Sequence, residues 1–267
     1  VALTLAAMAP RSAESQQTTF PDRPIRMIFG FAPGGSGDLA ARLLADVASR
    51  VLGQRVVVEN RTGANGMIAA EAIARSPADG YSVLFCTTGN MTIITELPGT
   101  KLSVDPATEL AAVGQLLRST FGLVVRQQSP WRTTQDVIDA ARAKPGTLTF
   151  ASAGVGSVQH LSGELLAQKT GTKMVHVPYR GSQAAMLDIT SGQTDFMITN
   201  LGDVIPHIRQ GTLRLIEVQS PGKKAMPWAD LQRGRKLPSG TRLIGREIAD
   251  GSGGTVLRQA LESLGPI

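Results

Sequence analysis

The feature that most constrains the fold is a strand, glycine loop, helix and strand that follow one another between residues 25 and 61. A short apolar run at residues 25–31 predicts a buried strand, and PGGSGD at residues 33–38 forms the loop. Apolar side chains then recur every four residues, which predicts an amphipathic helix; they are Leu39, Leu43, Val47 and Val51. Residues 56–58 predict the next strand.

The same order of elements recurs in the second half of the chain. Residues 148–152 read as a strand, AGVG at residues 153–156 as its loop, and Ser157 as the cap of the next helix. The buried stripe of that helix is predicted to be Leu161, Leu165 and Leu166, with its end near Gly171 and a further strand at residues 174–177. The repetition predicts two similar α/β lobes, each presenting a glycine loop at the carboxyl end of a strand.

Loops of this kind favour the binding of an anion. Gly34, Gly35 and Gly37 let the backbone approach a ligand closely, and either Ser36 or Asp38 could cap the helix that follows. The N-terminus of a helix also presents unpaired N–H groups and the positive end of the helix dipole. We therefore expect both loops to offer main-chain donors.

The remaining chain predicts further elements of both lobes. Apolar runs indicate strands at residues 81–86, 111–117, 121–125, 196–199 and 213–218. Helices are expected at residues 67–75, from Thr133 or Thr134 to about residue 143, and through Met186 as far as Gly192. Polar loops are expected at residues 61–66 and 87–90. Cys86 lies in one of the apolar runs and is expected to be a core residue rather than a nucleophile.

Composition limits the function classes. The chain has 267 residues, 42% of them hydrophobic, which favours a folded globular protein. A single cysteine cannot form an intrachain disulfide or a cysteine metal cluster. Most of the net charge of +6 falls in the glycine-rich residues 221–267, which lack interleaved aromatic residues, so we expect solvated surface and no nucleic-acid partner. Residues 1–9 resemble the apolar core of a secretory signal peptide.

Catalysis has little support in the motifs. The sequence contains no G-x-S-x-G, H-E-x-x-H or G-x-x-x-x-G-K-[ST] signature, and His160, His176 and His207 belong to different elements. We therefore expect no metal site and no cofactor. One enzyme alternative stays open, in which the first loop holds a nucleotide and Glu59, after the second strand, contacts its ribose.

Five segments resemble the Bug family, the periplasmic substrate-binding proteins of tripartite tricarboxylate transporters. They are FPDRPI at residues 20–25, PGGSGD at 33–38, VENRTGANG at 58–66, ADGY at 78–81 and VPYRG at 177–181. The resemblance implies a type II, periplasmic-binding-protein-like α/β fold whose two lobes close on a small carboxylate such as a dicarboxylate, an acidic amino acid or an aromatic acid. It also implies a monomer in the periplasm that delivers its ligand to membrane transporter subunits.

The resemblance implies a site built from the loops of both lobes. Residues 20–105 would form lobe 1, residues 106–221 lobe 2, and residues 222–267 would return to lobe 1, after a signal remnant and linker at residues 1–19. The expected ligand-binding residues are Phe31, Ala32, Gly34, Gly35, Ser36, Asp38, Thr88, Gly89, Asn90, Ser152, Gly154, Gly156, Ser157, His160, Tyr179, Arg180, Gly181, Asn200 and Asp203.

Residues 220–267 depart from the family pattern. Proline and glycine interrupt any periodicity there, and only residues 255–264 read as a helix. Two interpretations stay open for this tail. It is a divergent ending, or it is a change of reading frame that leaves a non-functional remnant with apolar surface uncovered on lobe 1.

Overall fold

The computed structural model describes residues 20–219 and 226–227. The predicted signal remnant and the predicted helix at residues 255–264 lie outside the described residues. No helix in the described part of the chain has the length and apolarity needed to cross a bilayer.

The first sheet consists of three parallel strands in the order β2-β1-β3. Strand β1 is Ile25–Phe29, β2 is Val56–Asn60 and β3 is Ser82–Phe85. Helix α1, Ser36–Leu52, connects β1 to β2, and α2, Met67–Ala74, connects β2 to β3. We call this sheet and its helices lobe 1. Because the strands are parallel, the loops that follow them lie at one edge of the sheet, as the apolar runs predicted.

Short helical segments complete lobe 1. A 3-10 turn, Ala64–Gly66, precedes α2, and a π-helical turn, Gly89–Ile93, follows β3 and runs into a second 3-10 turn, Ile94–Glu96. Helix α3 is Pro106–Glu109. Ile94 packs with Met67 and Ala70 of α2, so these turns are fixed to the lobe by a small apolar cluster.

The second sheet contains six strands in the order β6-β5-β7-β4-β8-β9. Their bounds are Phe121–Arg126 for β4, Thr149–Ser152 for β5, Val175–Pro178 for β6, Phe196–Asn200 for β7, Leu213–Gln219 for β8 and Met226–Pro227 for β9. Strand β5 runs parallel to β6 and β7, whereas β4 is antiparallel to β7 and β8. This mixed sheet and its helices form lobe 2.

Four helices cover lobe 2. They are α4, Thr134–Ala143; α5, Val158–Thr170; α6, Ser182–Ser191; and α7, Leu201–Arg209. Thr133 caps α4 in a reciprocal capping box with Asp136, and Ser157 caps α5, as predicted. Adjacent residues of β4 point to opposite faces, with Val125 in one core cluster and Val124 in the other, so both faces of the sheet are buried.

The predicted apolar face of α1 is wrong. Leu39 and Leu43 are 47% and 42% exposed, and the buried face instead carries Ala41, Ala45 and Ala48. The reason is the closeness of the helix to the ring of Phe29 on β1. A Cβ atom at Gly37 would lie 2.6 Å from the tip of that ring, so the first turn of the helix lies close against the sheet, and only Leu44 of its leucines packs against the core.

The buried face of helix α5 likewise carries small residues where leucines were predicted. Leu165 is 53% exposed, while Gly163 and Ala167 are buried and Leu166 alone of the predicted stripe packs against the core cluster. A Cβ atom at Gly163 would lie 2.3 Å from the ring of Phe150 on β5. In both lobes, an aromatic residue of the strand occupies the volume that helix side chains would otherwise fill.

Three further predictions are corrected by the structure. Residues 111–117 form no strand and are mostly exposed, since Val113 and Leu116 pack against no core cluster of the described residues. Cys86 is exposed rather than buried, because β3 ends one residue before it. The capping residue of α1 is Gly35, which leaves Ser36 and Asp38 inside the first turn of the helix.

Candidate functional site

The first glycine loop is held by a buried carboxylate. Asp38 Oδ2 accepts a hydrogen bond of 3.0 Å from the N–H of Gly34 and one of 2.9 Å from Arg42 Nε. Asn60 Nδ2 donates to the other carboxylate oxygen at 2.8 Å. Burial by itself would raise the pKa of Asp38, but the hydrogen bonds from Arg42, Asn60 and Gly34 outweigh it and lower the pKa below its usual value. Asp38 therefore fixes the shape of the loop.

Lobe 2 contacts the first loop directly through Ser36. The N–H of Ser36 donates to Asp203 Oδ1 at 2.8 Å, and its hydroxyl donates to Asn200 Oδ1 at 2.9 Å. Asn200 Nδ2 donates to the second oxygen of Asp203, which is 2% exposed. A carboxylate from lobe 2 thus occupies the N-terminus of α1, where the sequence suggested a ligand anion. The structure brings these three predicted site residues together as a bridge between the lobes.

The second glycine loop is held by neutral groups. Gly156 donates its N–H to His160 Nδ1 at 3.2 Å, and the ring of His160 stacks on that of His176 with centroids 4.0 Å apart. Ser152, which is fully buried, lies 2.6 Å from His176 Nε2 through its hydroxyl and accepts the N–H of Gly154 at 3.1 Å. Burial lowers the pKa of His160, and burial followed by the neighbouring His160 lowers the pKa of His176 to about 4.

The rims of the two lobes touch at glycine. A Cβ atom at Gly89 would lie 3.4 Å from the carbonyl oxygen of Gly156 and from Ser157 Cα, and one at Gly181 would lie 3.6 Å from Ala32. Each glycine therefore allows the backbones to approach across the cleft. A Cβ atom at Gly35 would lie 3.7 Å from Asp203 Oδ1, so this glycine also faces lobe 2. Thr88 is exposed at the start of the π-helical turn.

A cavity of about 420 Å³ lies between the lobes, within the size range of small-molecule sites. Of the predicted residues, it is lined by Phe31 from lobe 1 and by Gly154, Tyr179 and Arg180 from lobe 2. The Tyr179 hydroxyl donates to Asp188 at 2.6 Å, and burial together with this carboxylate raises its pKa to about 12. Tyr179 is consequently a neutral wall of the cavity.

Two cations reach the cavity, Arg180 from lobe 2 and Lys101 from lobe 1. Among the described residues, neither forms an ion pair with a carboxylate. The acidic residue of the lining, Glu71, is paired with Arg75. The balance of unpaired charge in the lining is therefore positive, which favours an anionic occupant.

Sequence reasoning missed the residues of the second loop of lobe 1. Ala64, Asn65 and Gly66 line the cavity, and Asn65 is buried with its amide directed between the lobes. Asn90, which was predicted, is fully buried but lies behind this loop, where its Oδ1 accepts from the N–H and hydroxyl of Thr87. The available signal was the Asn-Gly pair itself, because asparagine tolerates the left-handed conformation that Asn65 adopts at φ 51°.

The described residues include no cluster of three or more histidine, cysteine, aspartate or glutamate side chains that could hold a metal ion. Glu59, the residue considered for a ribose, is engaged by Arg61 at 2.5 Å and by Arg26 at 3.8 Å. Its carboxylate is therefore held by two cations of the protein, which disfavours its use for a nucleotide.

Comparison with known proteins places these observations in a family context. Residues 40–232 match the model of the tripartite tricarboxylate transporter family receptor. The chain is 38% identical to the UPF0065 protein in the gbd 5' region of Cupriavidus necator, over 84% of this chain and 66% of that protein. It is 36% identical to BugT of Bordetella pertussis, over 79% of this chain and 64% of that protein. The chain thus spans just under two thirds of the length of these relatives.

A solved structure of R. palustris Rpa4515 with adipate superimposes with a TM-score of 0.75 at 30% identity, covering 91% of this chain and 83% of that one. The likeness confirms the predicted periplasmic-binding-protein fold with two α/β lobes, and the sequence match to BugT confirms the resemblance drawn from the five segments.

Proposed function

Because the chain belongs to the tripartite tricarboxylate transporter receptor family, we propose that it is a periplasmic solute receptor for a small carboxylate. The observation that carries the proposal is the cavity between the lobes, whose lining includes Lys101 and Arg180, neither of them paired with a carboxylate of residues 20–219. A guanidinium and an ammonium in a partly desolvated cleft bind a carboxylate more strongly than they would in water. The similarity to a structure that contains adipate supports the same ligand class.

The proposed site divides the predicted residues into two groups. Phe31, Gly154, Tyr179 and Arg180 line the cavity and would face the ligand. The others support the lining or join the lobes at its edge; they are Ala32, Gly34, Gly35, Ser36, Asp38, Thr88, Gly89, Asn90, Ser152, Gly156, Ser157, His160, Gly181, Asn200 and Asp203.

Capture would proceed by closure of the lobes. The contacts between Ser36 and Asp203, and between Gly89 and Gly156, form only when the lobes approach, so ligand and cross-lobe bonds would stabilise the same closed state. The closed receptor would then present its ligand to membrane transporter subunits. Location in the periplasm and action as a monomer belong to the same proposal.

Isothermal titration calorimetry tests the ligand class. Purified protein would be titrated with adipate, succinate, malate, glutamate and benzoate, each at pH 7 and moderate salt. We expect at least one acid to bind with a raised melting temperature, since ligand binding to the folded state stabilises it by mass action. The absence of heat and of a thermal shift with every acid would contradict the proposal.

The nucleotide-binding alternative gains no support from a specific observation, because Glu59 is already paired with Arg61 and Arg26. Titration with NAD and ATP is a direct check, and no binding is expected. The remnant alternative concerns residues outside the described part of the chain. A thermal melt of the full chain followed by circular dichroism tests it, since a functional receptor should unfold in a cooperative transition.

A further inference from the structure

Asn65 is a buried amide without hydrogen-bond partners. Its side chain is 9% exposed, and among the described residues neither Nδ2 nor Oδ1 has a hydrogen-bond partner. Buried polar groups in folded proteins are nearly always paired, so an amide with both ends unpaired calls for a partner that the described residues do not supply.

The amide lies beside the cavity and is enclosed by the rims of both lobes, since each of its polar atoms has less than 1 Å² exposed. A ligand group would therefore have to contact it before the lobes close. A Cβ atom at Gly89 would be 3.3 Å from Asn65 Nδ2, and one at Gly156 would be 3.5 Å from it, so this nitrogen lies between the rims of the two lobes. Asn65 also lines the cavity that Arg180 and Lys101 reach. In the neighbouring Asn90, Nδ2 also has no hydrogen-bond partner among the described residues, but Oδ1 accepts from Thr87 and the residue does not line the cavity.

The chemistry of the missing partner follows from the amide. Oδ1 needs a donor and Nδ2 needs an acceptor, and the two atoms belong to one planar group. A carboxylate only accepts and an ammonium only donates, so neither satisfies both ends. A hydroxyl or a carboxamide can do both.

We propose that Asn65 is a specificity-determining residue that selects carboxylates carrying a hydroxyl or carboxamide group over unsubstituted acids of the same length. The inference rests on the proposed function, in which Arg180 and Lys101 bind the carboxylate while Asn65 reads the second group. A site with buried polar groups rejects an analogue that leaves them unpaired, which gives discrimination without any charge difference.

The test compares matched ligands on the whole chain. Succinate is compared with L-malate, D-malate and succinamate, and glutarate with 2-hydroxyglutarate, by titration calorimetry. We expect the wild-type protein to bind a hydroxyl- or carboxamide-bearing acid about tenfold or more tightly than its unsubstituted analogue. The malate and succinamate arms distinguish the two groups.

Two variants separate this amide from an amide elsewhere in the chain. Asn65→Gly removes the amide at a left-handed position that glycine adopts without strain, and it should reduce the discrimination to about threefold or less. Gln135→Ala is the control, because it removes an exposed carboxamide on α4 that does not line the cavity. It should preserve the wild-type discrimination.

The outcomes are distinguishable. Equal affinity of the wild-type protein for substituted and unsubstituted acids would overturn the role of Asn65 while leaving the carboxylate receptor intact. Discrimination that survives Asn65→Gly would also overturn it. If no acid of either kind binds, the proposed function itself fails.

Discussion

Each of the two glycine loops connects a parallel strand to a helix, β1 to α1 in lobe 1 and β5 to α5 in lobe 2, yet different chemistry holds them. Charged groups fix the first loop, where Asp38 is bonded to Arg42 and Asp203 of lobe 2 bonds to Ser36. Neutral imidazoles support the second, through the stack of His160 on His176. In the first loop, the protein's own carboxylates occupy donors that a sequence pattern assigns to a ligand.

A glycine loop before a helix therefore indicates that an anion can bind there, but it does not indicate whether that anion is a ligand or a carboxylate of the protein itself. At α1 the anion is Asp203, supplied from the other lobe. A ligand carboxylate therefore has to find its partners elsewhere, and the cavity offers Arg180 and Lys101. The two loops should respond differently to mutation and to pH.

Loss of the bridge should have the largest effect on stability. Asp203→Ala removes a 2% exposed carboxylate that accepts from Ser36 and Asn200, and it leaves their donors without an acceptor. We expect the free energy of unfolding in urea to fall by about 2–4 kcal/mol. Asp46→Ala, which breaks an exposed pair with Arg50, is the control and should cost under about 1 kcal/mol. Equal losses in the two variants would show that the bridge contributes no more to stability than an exposed ion pair.

The first loop should lose stability only in acid. The folded-state pKa of Asp38 is lowered, so its contribution is present above the unfolded-state pKa near 4 and disappears as pH falls through the folded value. Asp38→Asn should reduce the free energy of unfolding by about 1–2 kcal/mol at pH 7 and by much less at pH 2. Urea unfolding from pH 7 to pH 2 measures this difference. If the free energies of unfolding of the wild-type protein and Asp38→Asn differ by the same amount at every pH, the lowered pKa of Asp38 is contradicted.

The cations of the cavity should affect ligand binding rather than folding. Arg180→Gln is expected to weaken the best-binding acid of the calorimetric panel about tenfold, because a charged hydrogen bond contributes about 1.4 kcal/mol. Lys101→Gln tests whether lobe 1 contributes equally. Lys169→Gln, on the exposed end of α5, should leave the affinity unchanged. Unchanged affinity in both cavity variants would remove the cations from the site.

The smallest expected effect is the pH response of the second loop. His176 has a folded-state pKa of about 4, below its unfolded value, so its contribution is full above about pH 6.5 and is lost as pH falls toward 4. The groups facing it are His160, which packs beside it, and Glu164, 3.8 Å from His160. In His176→Gln, the free energy of unfolding should decrease less on acidification than in the wild-type protein. The difference should be under about 1 kcal/mol, since the ring is only partly buried. Urea unfolding at pH 7, 5.5 and 4.5 measures it.

Gln135→Ala, on the exposed face of α4, is the control for this experiment and should retain the wild-type dependence of the free energy of unfolding on pH. An identical slope in His176→Gln would show that the imidazole stack does not sense protons. Only the first loop would then contribute a stability that depends on pH.

Most of the fold could be predicted because its signals are local. The apolar runs located β1, β2 and β3, and Thr133 and Ser157 marked the starts of α4 and α5. The buried faces of α1 and α5 could not be predicted in the same way. Leucines normally indicate a buried face, but the rings of Phe29 and Phe150 approach the helices so closely at Gly37 and Gly163 that these positions have no room for a side chain.

The site was only partly predictable for a related reason. Phe31, Gly154, Tyr179 and Arg180 follow predicted strands and do line the cavity. Asn65 and Lys101 were missed, since nothing in their neighbours indicates that a loop and a crossing segment meet the second lobe. The role of Ser36 was likewise hidden, because its partner Asp203 lies 167 residues further along the chain.

The strands, the glycine loops, the family and hence the two-lobed architecture follow from the amino-acid sequence, because they depend on short patterns of apolar and small residues. The identity of the anion at α1, the buried faces of the helices and the buried polar atoms that lack a partner among the described residues became known only from the folded chain. Those outcomes depend on distances between segments remote in the chain, and hydrogen bonds and packing act only over a few ångströms.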